Sequence, residues 1–294
     1  MRRTFWQQWS GILFAVPWLL QFVLFIVVPF AASFWLSLTD YRFRDFPNMI
    51  WFENYADLAS DEVFLKSIFN TLYYTVFHVP GVMIISFFIA ILLNQKVKGM
   101  PLFRTLFYLP SVTAGVATIM LWLVILQPNG ILNQALGLVG IPGPRWLTST
   151  QWAMPSLIIM SFWTVGTTMI LYLAGLQGIP QHLYEAAAID GAGHLRKLWH
   201  VTVPMMTPTI FLTLILGIIG SWQVFTQALI LTGGGPANAT LFVLLYLYNK
   251  AFLIFQMGYA SAIAWVLFVI ILIFTLIQFG IARRWVYYEY DESS

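Results

Sequence analysis

Glu185 opens a stretch in which a carboxylate, a run of alanines and two glycines fall together between long apolar segments: Glu185-Ala186-Ala187-Ala188-Ile189-Asp190-Gly191-Ala192-Gly193, continuing from His194 to Pro204. Its chemistry is that of contact with another chain. Glu185 offers a charge that a foreign Arg or Lys can pair with, and Ala186, Ala187 and Ala188 are small enough to let another surface come close. Pro180 can start a helix, because its missing N–H would be unpaired there anyway, and Glu185 to Ile189 continues in helix-favouring residues. Gly191 and Gly193 are expected to interrupt that helix with a turn that side chains would resist. A second short helix is expected from His194 to about Val201, ended by Pro204 and Pro208. The loop 177–208 thus reads as helix, glycine turn, helix.

A second polar set lies inside the apolar segments: Thr164, Thr167, Thr168 and Tyr172, then Ser221, Trp222, Gln223, Thr226 and Gln227, then Ser261. Apart from the Tyr172 phenol these groups hydrogen-bond without ionising. A Lys, Arg or Asp at mid-membrane depth costs about 2.5–3.5 kcal/mol, and none of the predicted membrane cores holds one. This argues against a carrier driven by protons or sodium through intramembrane carboxylates, although carbonyl-lined ion sites stay open. It suits a neutral, hydroxyl-rich solute. Gln223 and Gln227, four apart, are expected to share a helical face and grip hydroxyls near the outer half of the membrane; hydrogen bonding between helices is the equal alternative.

Other chemistry is absent from the sequence. No glycine is followed by lysine, so the phosphate-binding Gly-x-x-x-x-Gly-Lys-Ser/Thr pattern is missing. Gly233-Gly234-Gly235-Pro236 therefore reads as a flexible outer turn or a contact with a delivery protein. There is no His-Glu-x-x-His and no Gly-x-Ser-x-Gly, and the spans lack paired carboxylates, which disfavours an intramembrane enzyme. His182, His194 and His200 are separated by glycines and have no cysteine beside them, so no metal site is expected. His78, next to Pro80-Gly81, reads as a kink with a satisfied imidazole. With no cysteine in the chain, disulfides and thiolate chemistry are excluded.

The elements that must position these residues follow from composition. Of 294 residues 60% are hydrophobic and 9% charged, with a mean hydropathy of +0.81, whereas soluble domains are about 25% charged. Stretches free of Asp, Glu, Lys and Arg predict six spanning helices, near Gly11 to Leu38, Ile68 to Leu93, Leu106 to Leu126, Trp152 to Leu173, Ile210 to Leu231 and Tyr259 to Ile281. The first follows Arg2 and Arg3 like a signal peptide, but its apolar run exceeds the usual length and reads as an uncleaved anchor.

Arg2, Arg3, Lys96, Lys98, Arg104, Arg196, Lys197, Arg283 and Arg284 fall on one side of such an arrangement. They outnumber Arg42, Arg44, Lys66, Arg145 and Lys250 on the other, which also carries Asp40, Asp45, Glu53, Asp57, Asp61 and Glu62. Both termini are therefore expected in the cytoplasm. The net charge of +3 reflects this topology and not nucleic-acid binding. The expected organisation is an all-α membrane protein: 1–67, a first helix and outer loop; 68–284, a five-helix core with the 177–208 loop between helices four and five; and 285–294, a tail. Phe46-Pro47-Asn48 predicts a turn before short helices between Trp51 and Leu65, and Ile131 to Val139 a short outer piece between turns.

Glu-Ala-Ala, a glycine six residues after Glu185 and Pro204 thirteen after that glycine resemble the signature loop of ATP-binding cassette import permeases. The longer Glu-Ala-Ala-Ala-Ile-Asp-Gly-Ala-Gly form is similar to the carbohydrate branch, including maltose-type and glycerol-3-phosphate-type permeases. Thr232 to Pro236 with Thr240, Ala251-Phe252 and Gly258-Tyr259-Ala260 match the same branch. Departures are Trp199 for a common Phe, Val201 and Val203 for Ile and Leu, and Thr226 where Asp is frequent.

The resemblance implies an importer in the cytoplasmic (inner) membrane of a bacterium or archaeon. It pairs this subunit with a second homologous permease, two cytoplasmic ATPase subunits and an extracytoplasmic solute-binding protein that delivers a sugar. Glu185, Ala186, Ala187 and Gly191 would then couple to the ATPase, with Asp190, Gly193 and Pro204 shaping the loop. No cofactor is expected on this chain, ATP and Mg being held by the partner ATPase. A self-sufficient secondary sugar or polyol carrier is the alternative.

Overall fold

The computed structural model describes residues 5–43, 46–95, 97–113 and 115–287. Of the charges used for orientation, Arg2, Arg3, Arg44, Asp45 and Lys96 lie outside the described residues, as does the tail from 288 to 294. Among the described residues the chain is helical, with isolated bridges from Thr39 to Met49 and from Arg42 to Gln256 in place of strands. In order the helices are α1 (Phe5–Phe22), α2 (Val28–Ser37), α3 (Glu53–Ser60), α4 (Glu62–Leu93), α5 (Met100–Val112), α6 (Gly115–Ile125), α7 (Ile131–Leu138) and α8 (Ala153–Ser161). There follow α9 (Gly166–Gly178), α10 (Gln181–Ile189), α11 (His194–Lys197), α12 (Val203–Trp222), α13 (Thr226–Leu231), α14 (Val243–Tyr248) and α15 (Met257–Ala282).

Four helical runs are long and apolar enough to cross a membrane: Phe14–Ser37, Glu62–Leu93, His194–Trp222 and Met257–Ala282. Two bent pairs, α5 with α6 and α8 with α9, bring the number to six if each is one span. The second pair bends by 47°, where a 3₁₀ turn at Phe162–Thr164 joins its halves.

Two of these runs continue across prolines by the same device. A π-helical turn, Val23–Val27, precedes Pro29 at the start of α2, and another, Leu198–Thr202, precedes Pro204 at the start of α12. The wider turn absorbs the residue whose hydrogen bond a proline would break. Pro208 also leaves the Pro204 carbonyl without its helical donor, and the Thr207 hydroxyl donates to that carbonyl at 2.7 Å. The break expected at Pro204 and Pro208 therefore does not occur, and helix runs unbroken from His194 to Trp222.

The chain divides into two compact units, Met1–Asp61 with Leu247–Leu267, and Glu62–Tyr246 with Phe268–Ser294. In the first, the predicted turn at Phe46-Pro47-Asn48 is closed by paired backbone bonds, Asp40 N–H to Asn48 O and Ile50 N–H to Leu38 O. The buried Asn54 amide donates to the Ser37 and Thr39 carbonyls. The backbone N–H and side-chain amide of Asn48 both donate to the Asp40 carboxylate and hold its pKa below the usual carboxylate range. A lowered folded pKa means that this support is complete above the unfolded value and is lost as pH falls through the folded one. Hydrogen exchange at the Asn48 amide should consequently lose protection below about pH 4, and Asp40→Asn should flatten that dependence.

In the second unit, Ala90, Leu93, Met169, Tyr172, Leu173, Leu176 and Met206 form a buried core among α4, α9 and α12. Arg104 donates from Nε and Nη2 to the Leu93 carbonyl, placing a cation on the C-terminus of α4. Gly166 lets α9 lie against α5. A Cβ there would stand 2.5 Å from the Phe107 carbonyl oxygen and 2.9 Å from the Tyr108 Cα, both backbone atoms. Gly166→Ala is expected to destabilise the detergent-solubilised protein by about 1–3 kcal/mol. Gly178→Ala, with open space around it, should be neutral or slightly stabilising in the same thermal unfolding assay.

Candidate functional site

The Glu185 loop forms a capped hairpin. Pro180 is the residue before α10, with extended backbone, rather than the first helical residue as its usual N1 preference suggests. The helix ends at Gly191, whose φ of +74° is the left-handed conformation that glycine adopts without steric cost. Gly191 N–H donates to Ala188 O at 3.1 Å and Ala192 N–H to Ala187 O at 2.9 Å, the paired bonds of a Schellman cap. Gly193 is different from the expectation. Its φ of −70° and ψ of 173° suit any residue, and an added Cβ would meet nothing within 4 Å, so it serves only as the residue before α11.

The hairpin is tied down from within by a 2.9 Å hydrogen bond between the Tyr184 and Thr202 hydroxyls. Its other face is open. Glu185, Ala186, Ala188 and Asp190 are exposed, with Ala187 half-buried. Glu185 makes no side-chain hydrogen bond or ion pair with any described residue. The same hairpin leaves apolar side chains uncovered: Ile189 is 87% exposed, Leu195 74% and Trp199 65%. Uncovered Ile, Leu and Trp on one hairpin are exposed apolar surface of the kind that, when contiguous, marks interaction sites.

The second feature is a cavity of about 230 Å³ lined by His78, Val79, Val82, Met83, Thr164, Thr167, Thr168, Leu171, Thr213, Leu216 and Gly217. It gathers the predicted Thr164 and Thr168 from the bent α8–α9 pair, together with α4 and α12. The Thr164 hydroxyl is occupied by the Ser161 carbonyl, whereas those of Thr167 and Thr168 have no hydrogen-bond partner among the described residues. One nitrogen of His78, Nδ1, sits 2.7 Å from the Ser161 hydroxyl, so the imidazole is satisfied as expected, and the ring nonetheless lines the cavity. Sequence reasoning missed this second role, and it missed Thr213.

Tyr172 does not line the cavity. Its ring is buried, its hydroxyl pairs with Thr213 at 2.8 Å, and it therefore supports the wall from behind. The shared face expected for Gln223 and Gln227 is not formed. Gln223 terminates α12, Phe225 leaves helical geometry with φ −139°, and Gln227 belongs to the separate α13. Gly217, Gly220 and Ser221 make the end of α12 weakly helical, and the Ser221 hydroxyl bonds to the Ile218 carbonyl and to Thr75. Gln223 is exposed, while Gln227 donates to the buried Tyr74 hydroxyl at 3.2 Å. Tyr74 in turn stacks on His78, with ring centroids 4.8 Å apart. Gln227 thus reaches the cavity through Tyr74 and His78. Ser261 is half-buried in the other compact unit.

The Gly233–Pro236 turn is pinned, against the flexibility expected of it. Gly233 and Gly234 take φ of +58° and +89°. The Thr240 hydroxyl donates to Gly235 O at 2.8 Å and lies 2.7 Å from the Thr232 hydroxyl. From α4, Lys66 donates to Ala237 O, and Asn70 to the Asn238 and Leu241 carbonyls. Gly233 remains exposed and Gly235 and Pro236 half-exposed, but Gly234 is buried.

Apolar helices of spanning length around an uncharged cavity lined with hydroxyls define a multi-pass membrane protein. The chain belongs to the family described as binding-protein-dependent transport system inner membrane components, which matches residues 58–287. It is 39% identical to the probable ABC transporter permease protein YesP of Bacillus subtilis, over 96% of this chain and 93% of that protein. It is 33% identical to the multiple sugar-binding transport system permease protein MsmF of Streptococcus mutans, over 97% and 98%. With the trehalose/maltose transport system permease protein MalF of Thermococcus litoralis it shares 32% identity over 93% of each.

The fold is similar to a chain in the crystal structure of a bacterial alginate ABC transporter in complex with an alginate pentasaccharide-bound periplasmic protein. The TM-score is 0.84 at 24% identity, over 96% of this chain and 98% of that one. The resemblance carried by the Glu185 loop is thereby borne out: this is an ABC importer permease, and several of its relatives are permeases of sugar systems.

Proposed function

We propose that the chain is a permease subunit that passes a sugar or oligosaccharide across the cytoplasmic membrane, driven by ATP hydrolysis on a separate subunit. In this reading each bent pair counts as one span, giving six, and the excess of Lys and Arg supports a cytoplasmic side that holds both termini and the 177–208 hairpin. Two ATPase subunits, a second homologous permease and an extracytoplasmic solute-binding protein complete the importer.

The observation that carries this reading is the hairpin: a Schellman-capped α10 displaying an unpaired Glu185, on a hairpin that also exposes Ile189, Leu195 and Trp199, in a chain with no nucleotide-binding motif of its own. A surface of that composition fits a cleft on a protein partner, where Glu185 meets a cation. Glu185, Ala186, Ala187 and Asp190 form the contacting edge and Gly191 fixes the bend. Pro204, next to the π-turn, joins the hairpin to α12 as one continuous helix, so a push on the hairpin is delivered to α12 and to Thr213 in the cavity wall. ATP and Mg act on the partner, and this chain holds no cofactor.

A carbohydrate suits the cavity because Thr167, Thr168 and His78 offer neutral hydrogen-bonding groups beside Val and Leu surfaces, with no counter-charge. Thr164, Tyr172 and Gln227 position that lining, while Gln223 is a further contact along the path. The pinned Gly233-Gly234-Gly235-Pro236 turn offers a firm surface for the solute-binding protein. Reconstituted vesicles test the reading: sugar uptake should require ATP, the ATPase and the binding protein together. Accumulation driven by an ion gradient with this chain alone would overturn it.

A further inference from the structure

Where α15 ends, a groove of about 730 Å³ opens between α12 and the turn that follows α15. It is lined by Phe211, Leu276, Phe279, Gly280, Ala282, Arg283 and Val286. Its size lies within the range of about 300–1,000 Å³ usual for small-molecule sites. The buried Phe211 lies edge-on to Phe279 at 5.3 Å and to Trp285 at 6.1 Å. Beyond the helix, Val286 N–H still donates to Ala282 O, and Tyr287 N–H donates to the Thr207 hydroxyl, fastening this end of the chain to α12. The walls are therefore built, and all but one of their side chains are hydrocarbon.

The exception is Arg283. It is exposed, has no ion-pair partner among the described residues, and is followed by the exposed Arg284 and Trp285. A spanning helix that ends in two arginines and a tryptophan ends at the level of the lipid headgroups. The groove is thus a hydrocarbon slot with a guanidinium at its mouth, at the depth where a phosphate and an acyl chain meet.

We propose that this groove binds an anionic phospholipid, with an acyl chain along Phe211, Leu276 and Phe279 and the headgroup phosphate on Arg283. A guanidinium presents donors in a fixed fork that matches phosphate oxygens, and basic pockets between helices on the cytoplasmic side recognise such headgroups. Zwitterionic lipids fit the slot equally but carry no net charge to hold against Arg283 and Arg284. A protein segment would need both a hydrophobic insert and an acid, and the chain's own Glu289, Asp291 and Glu292 are the nearest acids in sequence.

The experiment is native mass spectrometry of the full chain, extracted with whatever subunits accompany it, titrated with phosphatidylglycerol or phosphatidylcholine. The expected result is preferential retention of phosphatidylglycerol, weakened about ten-fold or more in Arg283→Gln and less in Arg283→Lys. Gly280→Trp, which fills the slot without touching charge, should remove the same bound lipid. Thermal unfolding in phosphatidylcholine should be the same for wild type and Arg283→Gln, so that lost binding is not lost folding. Equal retention of the two lipids, or phosphatidylglycerol retention unchanged in Arg283→Gln and Gly280→Trp, overturns the proposal. So does a gain in phosphatidylglycerol binding when Glu289, Asp291 and Glu292 are neutralised together without any dependence on Arg283, or occupation of the slot by a co-extracted subunit.

Discussion

Glu185→Ala combined with Gly191→Pro abolishes uptake while the protein still inserts in the membrane. Removing Glu185 takes away a charge-assisted contact worth about 1.5–3 kcal/mol at a partner surface. Proline at 191 cannot adopt φ +74° and has no N–H to give to the Ala188 carbonyl, so the Schellman cap is lost. That adds about 1–2 kcal/mol of misplaced backbone at the contacting edge. Together these effects amount to roughly two to three and a half decades of coupling at about 1.4 kcal/mol per decade. Insertion is untouched because the hairpin is exposed and its loss removes nothing from the Ala90–Met206 core. The check is ATP-dependent sugar uptake by vesicles containing matched amounts of the inserted variant and wild type. Uptake within about two-fold of wild type would defeat the coupling role.

Thr168→Trp is expected to close the path without disturbing the hairpin. Thr168 lines a cavity of about 230 Å³, and an indole added to that wall occupies the space that hydroxyls of a solute would use. Uptake should drop at least about ten-fold, while ATP hydrolysis by the assembled complex without solute stays near wild type. Thr168→Ser, which keeps the hydroxyl, should retain most of the uptake. The contrast between these variants separates a blocked path from a misfolded bundle, and equal loss in both would place the solute elsewhere.

The sequence made apolar runs legible because a charge in hydrocarbon is so costly that charge-free runs mark them out; four helices of spanning length result, while Leu106 to Leu126 and Trp152 to Leu173 fall on bent pairs. The hairpin was legible for a similar reason, since alanines followed by glycine have few other uses between two spans. The left-handed Gly191 came out as expected. Gly193 did not, because the Schellman bonds complete the turn at residue 192 and leave the next residue in ordinary extended geometry.

The prolines misled for a local reason. A π-turn ahead of Pro204 and a threonine beside Pro208 supply what the broken hydrogen-bond ladder lacks, and neither device has a sequence period. The pairing of Gln223 with Gln227 failed because it assumed an unbroken helix from one to the other, whereas α12 ends at Trp222 and Phe225 leaves helical geometry before α13 begins. His78 and Thr213 entered the cavity only through the packing of α4 and α12 against α9, which no spacing along one segment reveals.

The 185–191 hairpin is expected to meet an ATPase in the cytoplasm. Because the chain has no cysteine, a single Ala186→Cys places one thiol on the exposed face of α10. In intact cells that thiol should resist membrane-impermeant maleimides, and in membranes it should crosslink to the ATPase subunit with a yield that changes when nucleotide is added. Labelling from the outside medium, or crosslinks to no hydrolase under any nucleotide condition, would contradict the account.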